Sequence, residues 1–174
     1  MKTTIKSIVV VLTLLTCGNS FAQSLTSTYN TAIGLRAGET SGLTIKHFTG
    51  SNTAFEGIIG LWHHGLSATL LIEKHKSAFN VSGLNWYYGG GGHLVVQTRR
   101  SYYYYHRDRY YRYYYRGYSS GELGIGIDGI VGLEYKIPPI PFAISIDVKP
   151  MIEVTSRGSM FWGLDPSLGI KFTF

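Results

Sequence analysis

Two long segments in the C-terminal half alternate between apolar and polar positions with a period of two, and every charge in them falls on one side. In Phe142–Val154, the residues Phe142, Ile144, Ile146, Val148, Ile152 and Val154 share a face with Pro150, opposite Ala143, Ser145, Asp147, Lys149, Met151 and Glu153. In Leu123–Ile137, Leu123, Ile125, Ile127, Val131, Leu133, Tyr135 and Ile137 oppose Gly124, Gly126, Asp128, Ile130, Gly132, Glu134 and Lys136. Side chains alternate in this way on a strand and not on a helix. A third such segment sets Leu164, Leu168, Ile170, Phe172 and Phe174 against Asp165, Ser167, Gly169, Lys171 and Thr173.

Five earlier segments follow the same rule more loosely. Their apolar sets are Ile33 to Ala37, Leu43 with Ile45, Phe55 to Leu61, Leu66 to Ile72, and Leu84 to Leu94. Turn-forming sequences separate them: residues 38–42, Thr49-Gly50-Ser51-Asn52, His63-His64-Gly65, and the longer stretch 75–83. Pro138-Pro139-Ile140-Pro141 cannot supply ladder N–H groups and lies between strands. The expectation is an all-β chain of eight antiparallel strands.

Alternation does not say which face looks inward. A soluble lipocalin-like barrel would bury the apolar set. Three features favour the inverse. The polar face is rich in glycine (34, 38, 60, 89, 91, 124, 126, 132 and 169), which makes room for long charged neighbours inside a narrow barrel. It carries both signs in near balance: Arg36, Lys46, Lys136, Lys149 and Lys171 against Glu56, Glu73, Asp128, Glu134, Asp147 and Glu153, as an interior ion-pair network requires. The apolar face carries no charge, as a lipid-facing surface requires. Lipid offers no partner to an open sheet edge, so such strands close into a ring. The expected fold is a closed, up-and-down, eight-stranded transmembrane β-barrel. Pro150 is expected near the outer lipid boundary, where a bulge would accommodate it.

The N-terminus reads as an export signal. Lys2 and Lys6 precede the apolar run Ile8–Leu15, and Ser20-Phe21-Ala22 is a signal-peptidase site. Residues 1–22 are therefore expected to be removed, leaving 23–174 as the barrel. A lipoprotein cut before Cys17 is the rival, but Thr16 stands where a smaller residue is usual. After cleavage at Ala22 no cysteine remains, which leaves no disulfide and no thiol chemistry. The run is too short to span a bilayer as a helix.

The residues so far resemble the small eight-stranded outer-membrane barrels of the OmpX/OmpA type. The runs SGLTIKHF (Ser41–Phe48), GLNWYYGGGGH (Gly83–His93), GIDGIVGLEYKI (Gly126–Ile137) and AISIDVKP (Ala143–Pro150) are similar to an uncharacterised outer-membrane β-barrel family of Gram-negative bacteria. The resemblance spans nearly all of the mature chain. It implies an outer-membrane location, contact with lipid and lipopolysaccharide, and no defined reaction. The ending GIKFTF, with Leu168, Ile170, Phe172 and Phe174 alternating, looks like the signal read by the barrel assembly machinery.

Charge is localised. Residues 97–120 hold six Arg against one Asp, and 10 of the 14 Tyr. Strand parity puts this long connection outside the cell and the proline turn in the periplasm. Arg99, Arg100, Arg107, Arg109, Arg112 and Arg116 offer bidentate donors to phosphate or carboxylate. Tyr103, Tyr105, Tyr111 and Tyr114 offer stacking faces with hydroxyls. Candidate ligands are lipopolysaccharide phosphates, an extracellular glycan or a host surface; the alternative is a low-complexity extension without a ligand. The location argues against nucleic acid.

No cofactor or metal site is expected, since His63-His64 lacks a third ligand. Some eight-stranded barrels modify lipid A and need His, Ser and a carboxylate together. Here His63-His64 lies near Ser67 without an adjacent acid, and His93 faces the expected lumen. The chain reads as non-enzymatic, with envelope-structural, adhesive or ligand-display roles; a lipid A-modifying barrel enzyme and a soluble secreted binding barrel are the alternatives.

Overall fold

The computed structural model describes residues 29–62, 65–97 and 121–174. The expected signal peptide, His63-His64 and residues 98–120 of the Tyr/Arg segment lie outside the described residues. Eight strands follow in chain order: β1 (Thr31–Gly38), β2 (Ser41–Phe48), β3 (Thr53–Trp62), β4 (Gly65–Ser77), β5 (Leu84–Gln97), β6 (Leu123–Ile137), β7 (Phe142–Thr155) and β8 (Met160–Thr173). Each pairs antiparallel with its neighbours, and β8 returns to β1, so the sheet is a closed up-and-down barrel. The described residues contain no helix.

Closure uses the end of the chain. The Phe174 carbonyl accepts the N–H groups of Asn30 and Thr31 at 3.3 and 3.0 Å, and Phe174 N–H donates to Thr31 O at 2.9 Å. Following the registers round from Ile33 passes Ile45, Gly57, Leu70, Gly92, Ile127, Ile152 and Trp162. On its other side Ile33 pairs with Phe172, so one circuit shifts the register by ten residues (162 to 172). A stagger larger than the strand number tilts the strands steeply, within the roughly 35–45° usual for barrels.

Strand ends were less legible than strand existence. β4 runs through His75 to Ser77, so the expected loop over 75–83 shrinks to residues 78–83. β5 continues past Leu94 to Gln97, and β8 begins at Met160, four residues before Leu164. In each case a polar residue at an inward position (His75, Gln97) or a flanking turn hides a strand whose alternation goes on. β1 and β2 are short, at 8 residues each, against 13–15 for β4–β8. The wall is therefore lower on that side: β1 pairs with β8 only as far as Ser167.

No bulge marks Pro150. The β6–β7 ladder runs from Gly124↔Thr155 to Asp128↔Met151 and resumes at Val131↔Val148 in the same register. The interruption contains Pro150, which has no N–H to give, and no residue is inserted. Gly129 lies beneath it, and the space left by its missing side chain is met by Pro150 Cγ.

With few exceptions, alternation sorts the side chains. The apolar residues stand outside, with Leu70 61% and Leu168 62% exposed. The charged residues of the polar face are inside, most of them under 5% exposed. Three interior glycines, Gly124, Gly126 and Gly132, stand where side chains of other strands cross the lumen, whereas Gly34, Gly89 and Gly91 face neighbouring backbone. A Cβ on Gly126 would meet His93 Cε1 at 2.3 Å, and one on Gly132 would meet Tyr87 Cζ at 2.7 Å.

Candidate functional site: the charged barrel interior

At the N-terminal end, rings close the floor of the lumen. Tyr29 meets Phe48 edge-on at 5.2 Å between centroids, Phe48 meets His75 at 4.8 Å, and His75 stacks on Tyr87 at 5.0 Å. Tyr29 hydroxyl donates to Glu134 Oε1.

Above this floor sits Lys46, fully buried, and its ammonium is 2.7 Å from Glu73, 2.9 Å from Glu56 and 3.3 Å from Glu134. Its Nζ also lies 4.2 Å from the centre of the Tyr87 ring. Lys171 spans Glu56 (3.3 Å) and Glu134 (3.2 Å), and His75 Nε2 is 3.0 Å from Glu73. Thr44 hydroxyl donates to Glu56.

Tyr87 joins this cluster to the next one up, its hydroxyl donating to Asp147 Oδ2 at 2.8 Å. Arg36 holds Asp147 at 2.6 Å and Asp165 at 3.4 Å, and Ser167 hydroxyl donates to Asp147 at 2.9 Å. Lys149 bridges Asp165 (3.5 Å) to Asp128 (3.1 Å). His93 completes the ladder, with Nδ1 2.8 Å from Asp128 and Nε2 3.3 Å from Glu153. Only a doubly protonated imidazole donates at both nitrogens. Asp165 also accepts the Thr40 N–H at 3.1 Å, which ties the β1–β2 turn over the lumen. Beside it, Glu39 is partly desolvated and feels the Asp165 charge, which pushes its carboxyl above the ordinary range.

Of the residues expected in the network, Arg36, Lys46, Glu56, Glu73, Asp128, Glu134, Asp147, Lys149, Glu153 and Lys171 lie in the lumen. Lys136 does not join them. It sits at the N-terminal end of the barrel, where its ammonium donates to the carbonyls of Ile137 (3.3 Å) and Ile140 (2.7 Å). The proline turn presents carbonyls without matching N–H donors, and Lys136 satisfies them. Asp165, His75, His93, Tyr29 and Tyr87 take part and were outside the expected ion-pair set. Asp165 and His93 already stood on the polar face of their strands. Tyr29 precedes the first alternating segment and carried no signal.

The described residues of the interior carry more carboxylates than cations. Among the described residues four interior cations, Arg36, Lys46, Lys149 and Lys171, share ion pairs with Glu56, Glu73, Asp128, Glu134, Asp147 and Asp165, while Glu153 pairs with His93 and an eighth carboxylate, Glu122, is buried at the opposite mouth. His93, hydroxyl donors and the Thr40 amide add to the contacts of these carboxylates. Nor is the lumen wholly polar, since Ile58, Leu71, Tyr87 and Ile130 form one buried cluster within it.

No group of three or more His, Cys, Asp or Glu among the described residues is arranged to hold a metal ion. Ser67 hydroxyl donates to Gly60 O at 3.3 Å, and both His93 nitrogens face carboxylates. The arrangement is a network of shared ion pairs and hydrogen bonds across the lumen. Comparison with protein-family models, curated proteins and solved structures found no match.

Proposed function

We propose that this chain is a non-enzymatic integral outer-membrane β-barrel with a plugged lumen, exported by its N-terminal signal and assembled through its Leu168/Ile170/Phe172/Phe174 ending. The observation that carries this reading is the outer surface. Across eight strands it presents exposed Ile, Leu, Val and aromatic side chains, and among the described strand residues its only charged ones are Lys74 and Lys76 at the N-terminal rim. Water would solvate such a surface poorly, and large exposed apolar patches mark an apolar partner. Hydrocarbon is the solvent that matches a continuous, ring-shaped one. Trp86, Tyr88, Tyr135, Phe142 and Phe172 cluster toward the same rim, as aromatic girdles do at membrane interfaces.

Within this reading the Tyr/Arg segment is displayed at the end opposite the short turns 49–52, 78–83 and 138–141, outside the cell. It serves ligand display or adhesion toward lipopolysaccharide phosphate, glycan or a host surface. Envelope support is the remaining role of the barrel itself.

Leu70 and Leu168 test the solvent directly. Each is more than half exposed, near mid-height of the apolar band. In lipid, Leu70→Lys or Leu168→Lys costs about 2–4 kcal/mol; on a water-facing surface the same change is worth no more than roughly 0.5 kcal/mol. Urea titration of the chain folded in vesicles, read by the boiling-dependent gel shift, gives the difference. A chain that is monodisperse in buffer without detergent and indifferent to both substitutions would overturn the proposal.

A further inference from the structure

The N-terminal rim of the barrel is two-sided. On the β6–β8 side its outward residues are Tyr135, Phe142, Phe172 and Phe174, with Phe142 and Phe172 edge-on at 5.5 Å. On β4 the outward positions are instead Lys74 and Lys76, one strand-period apart. Lys74 ammonium donates to Thr53 Oγ1 of β3 at 2.6 Å. Lys76 ammonium lies 5.8 Å over the Trp86 ring of β5, which itself stacks on Tyr88 at 5.1 Å. Two cations are thus held beside a pair of interface-type rings.

Among the described residues no side-chain carboxylate answers them. Glu56, Glu73 and Glu134, the acids nearest this end, are inside the wall and engaged with Lys46 and Lys171. Residues 1–28 contain no Asp or Glu, and Glu39 and Glu122 belong to the opposite end. The turn that follows Lys76 adds an apolar element: Phe79 and Val81 are 82% and 46% exposed. Phe79 and Asn80 are both in the left-handed region, with φ of 53° and 55°. A bulky side chain is seldom held there, and such outliers concentrate at functional contacts.

We infer that Lys74 and Lys76, with Thr53, Trp86 and Tyr88, form a docking site for the phosphate of an anionic phospholipid in the leaflet that meets the N-terminal end. The site rests on the membrane reading above. Its chemistry is the match of two unneutralised ammonium groups to a diester phosphate bearing net negative charge, with the indole and phenol rings at headgroup depth. Each lysine near a membrane surface enriches an anionic lipid roughly fivefold. A phosphate whose charge is cancelled by its own choline gains little of this.

The test uses the full mature chain carrying Trp62→Phe and Trp162→Phe, so that Trp86 is the sole tryptophan and is excited selectively over the tyrosines. It is folded into phosphatidylcholine vesicles containing a minor fraction of phosphatidylglycerol, with brominated acyl chains on one lipid or the other. The expected result is several-fold stronger quenching of Trp86 by brominated phosphatidylglycerol than by brominated phosphatidylcholine at equal mole fraction. Lys74→Gln/Lys76→Gln should make the two lipids equal while the boiling-dependent gel shift persists, and added salt should shrink the preference. Equal quenching in the parent chain, or a preference that survives the double substitution, overturns the site and leaves the membrane reading standing. Loss of the gel shift together with quenching by neither lipid overturns both.

Discussion

Lys46 shows what a single residue must satisfy inside this barrel. Its ammonium is fully buried and shared among Glu56, Glu73 and Glu134, with the Tyr87 ring on its remaining side. Removing one member of a buried ionic cluster strands its partners, which costs more than the cluster contributes as a whole. Lys46→Met should therefore destabilise the fold by about 3–5 kcal/mol, because the carboxylates it leaves can no longer be solvated by water. Urea midpoints followed by the boiling-dependent gel shift measure this, with Arg157→Gln in the exposed β7–β8 turn as a control that stays near the parent value. The glycines obey the same logic of space. Gly91 has Leu70 O only 1.9 Å from where its Cβ would stand, whereas nothing lies within 4 Å of that point on Gly50. Most of this was legible in outline, since the charges of β6, β7 and β8 all fall on one face of each strand. Which lysine meets which glutamate was not, and Lys136 left the network because a turn carbonyl lay closer than a carboxylate did.

Among the elements, β6 and β7 are the most clearly written in the sequence and carry the one visible flaw. Their registers agree above and below Pro150, yet the pairs at Gly129 and Ile130 are missing. A ladder without its bonds opens more readily, so amides around Gly129 and Ile130 should exchange faster than those of Gly132–Glu134 in the same strand. Hydrogen exchange on the folded chain, resolved by peptide, checks this; uniform protection along β6 would contradict it. The strands with the least regular patterns, β1 and β2, are also the shortest. Little length remains there for alternation to declare itself. β4 is the reverse case. Its last inward residue, His75, reads as a loop residue in isolation, and only its contact with Glu73 and Tyr87 shows why the strand continues.

For the whole molecule, eight strands with a stagger of ten enclose a lumen that side chains fill. Tyr87, Arg36, Lys149 and His93 cross it at successive levels, each engaged with carboxylates from other strands. Such a barrel should leave no continuous water path. Inserted in a planar bilayer, the mature chain is expected to give no stable single-channel conductance; a steady open level would show that the ionic ladder is not the plug described here. The amino-acid order by itself determined that there are strands, about how many, and which residues share a face, because period two is a local property of the backbone. It also determined that the charge-bearing face and the greasy face could not exchange roles within a segment. Only the tertiary structure decided the register in which the strands close, which interior carboxylates meet which of the four cations, His93 and several neutral donors, and that Asp165 and His75 belong among them. Those outcomes depend on register between distant strands, and a one-residue shift in any ladder would turn a different set of side chains toward the lumen.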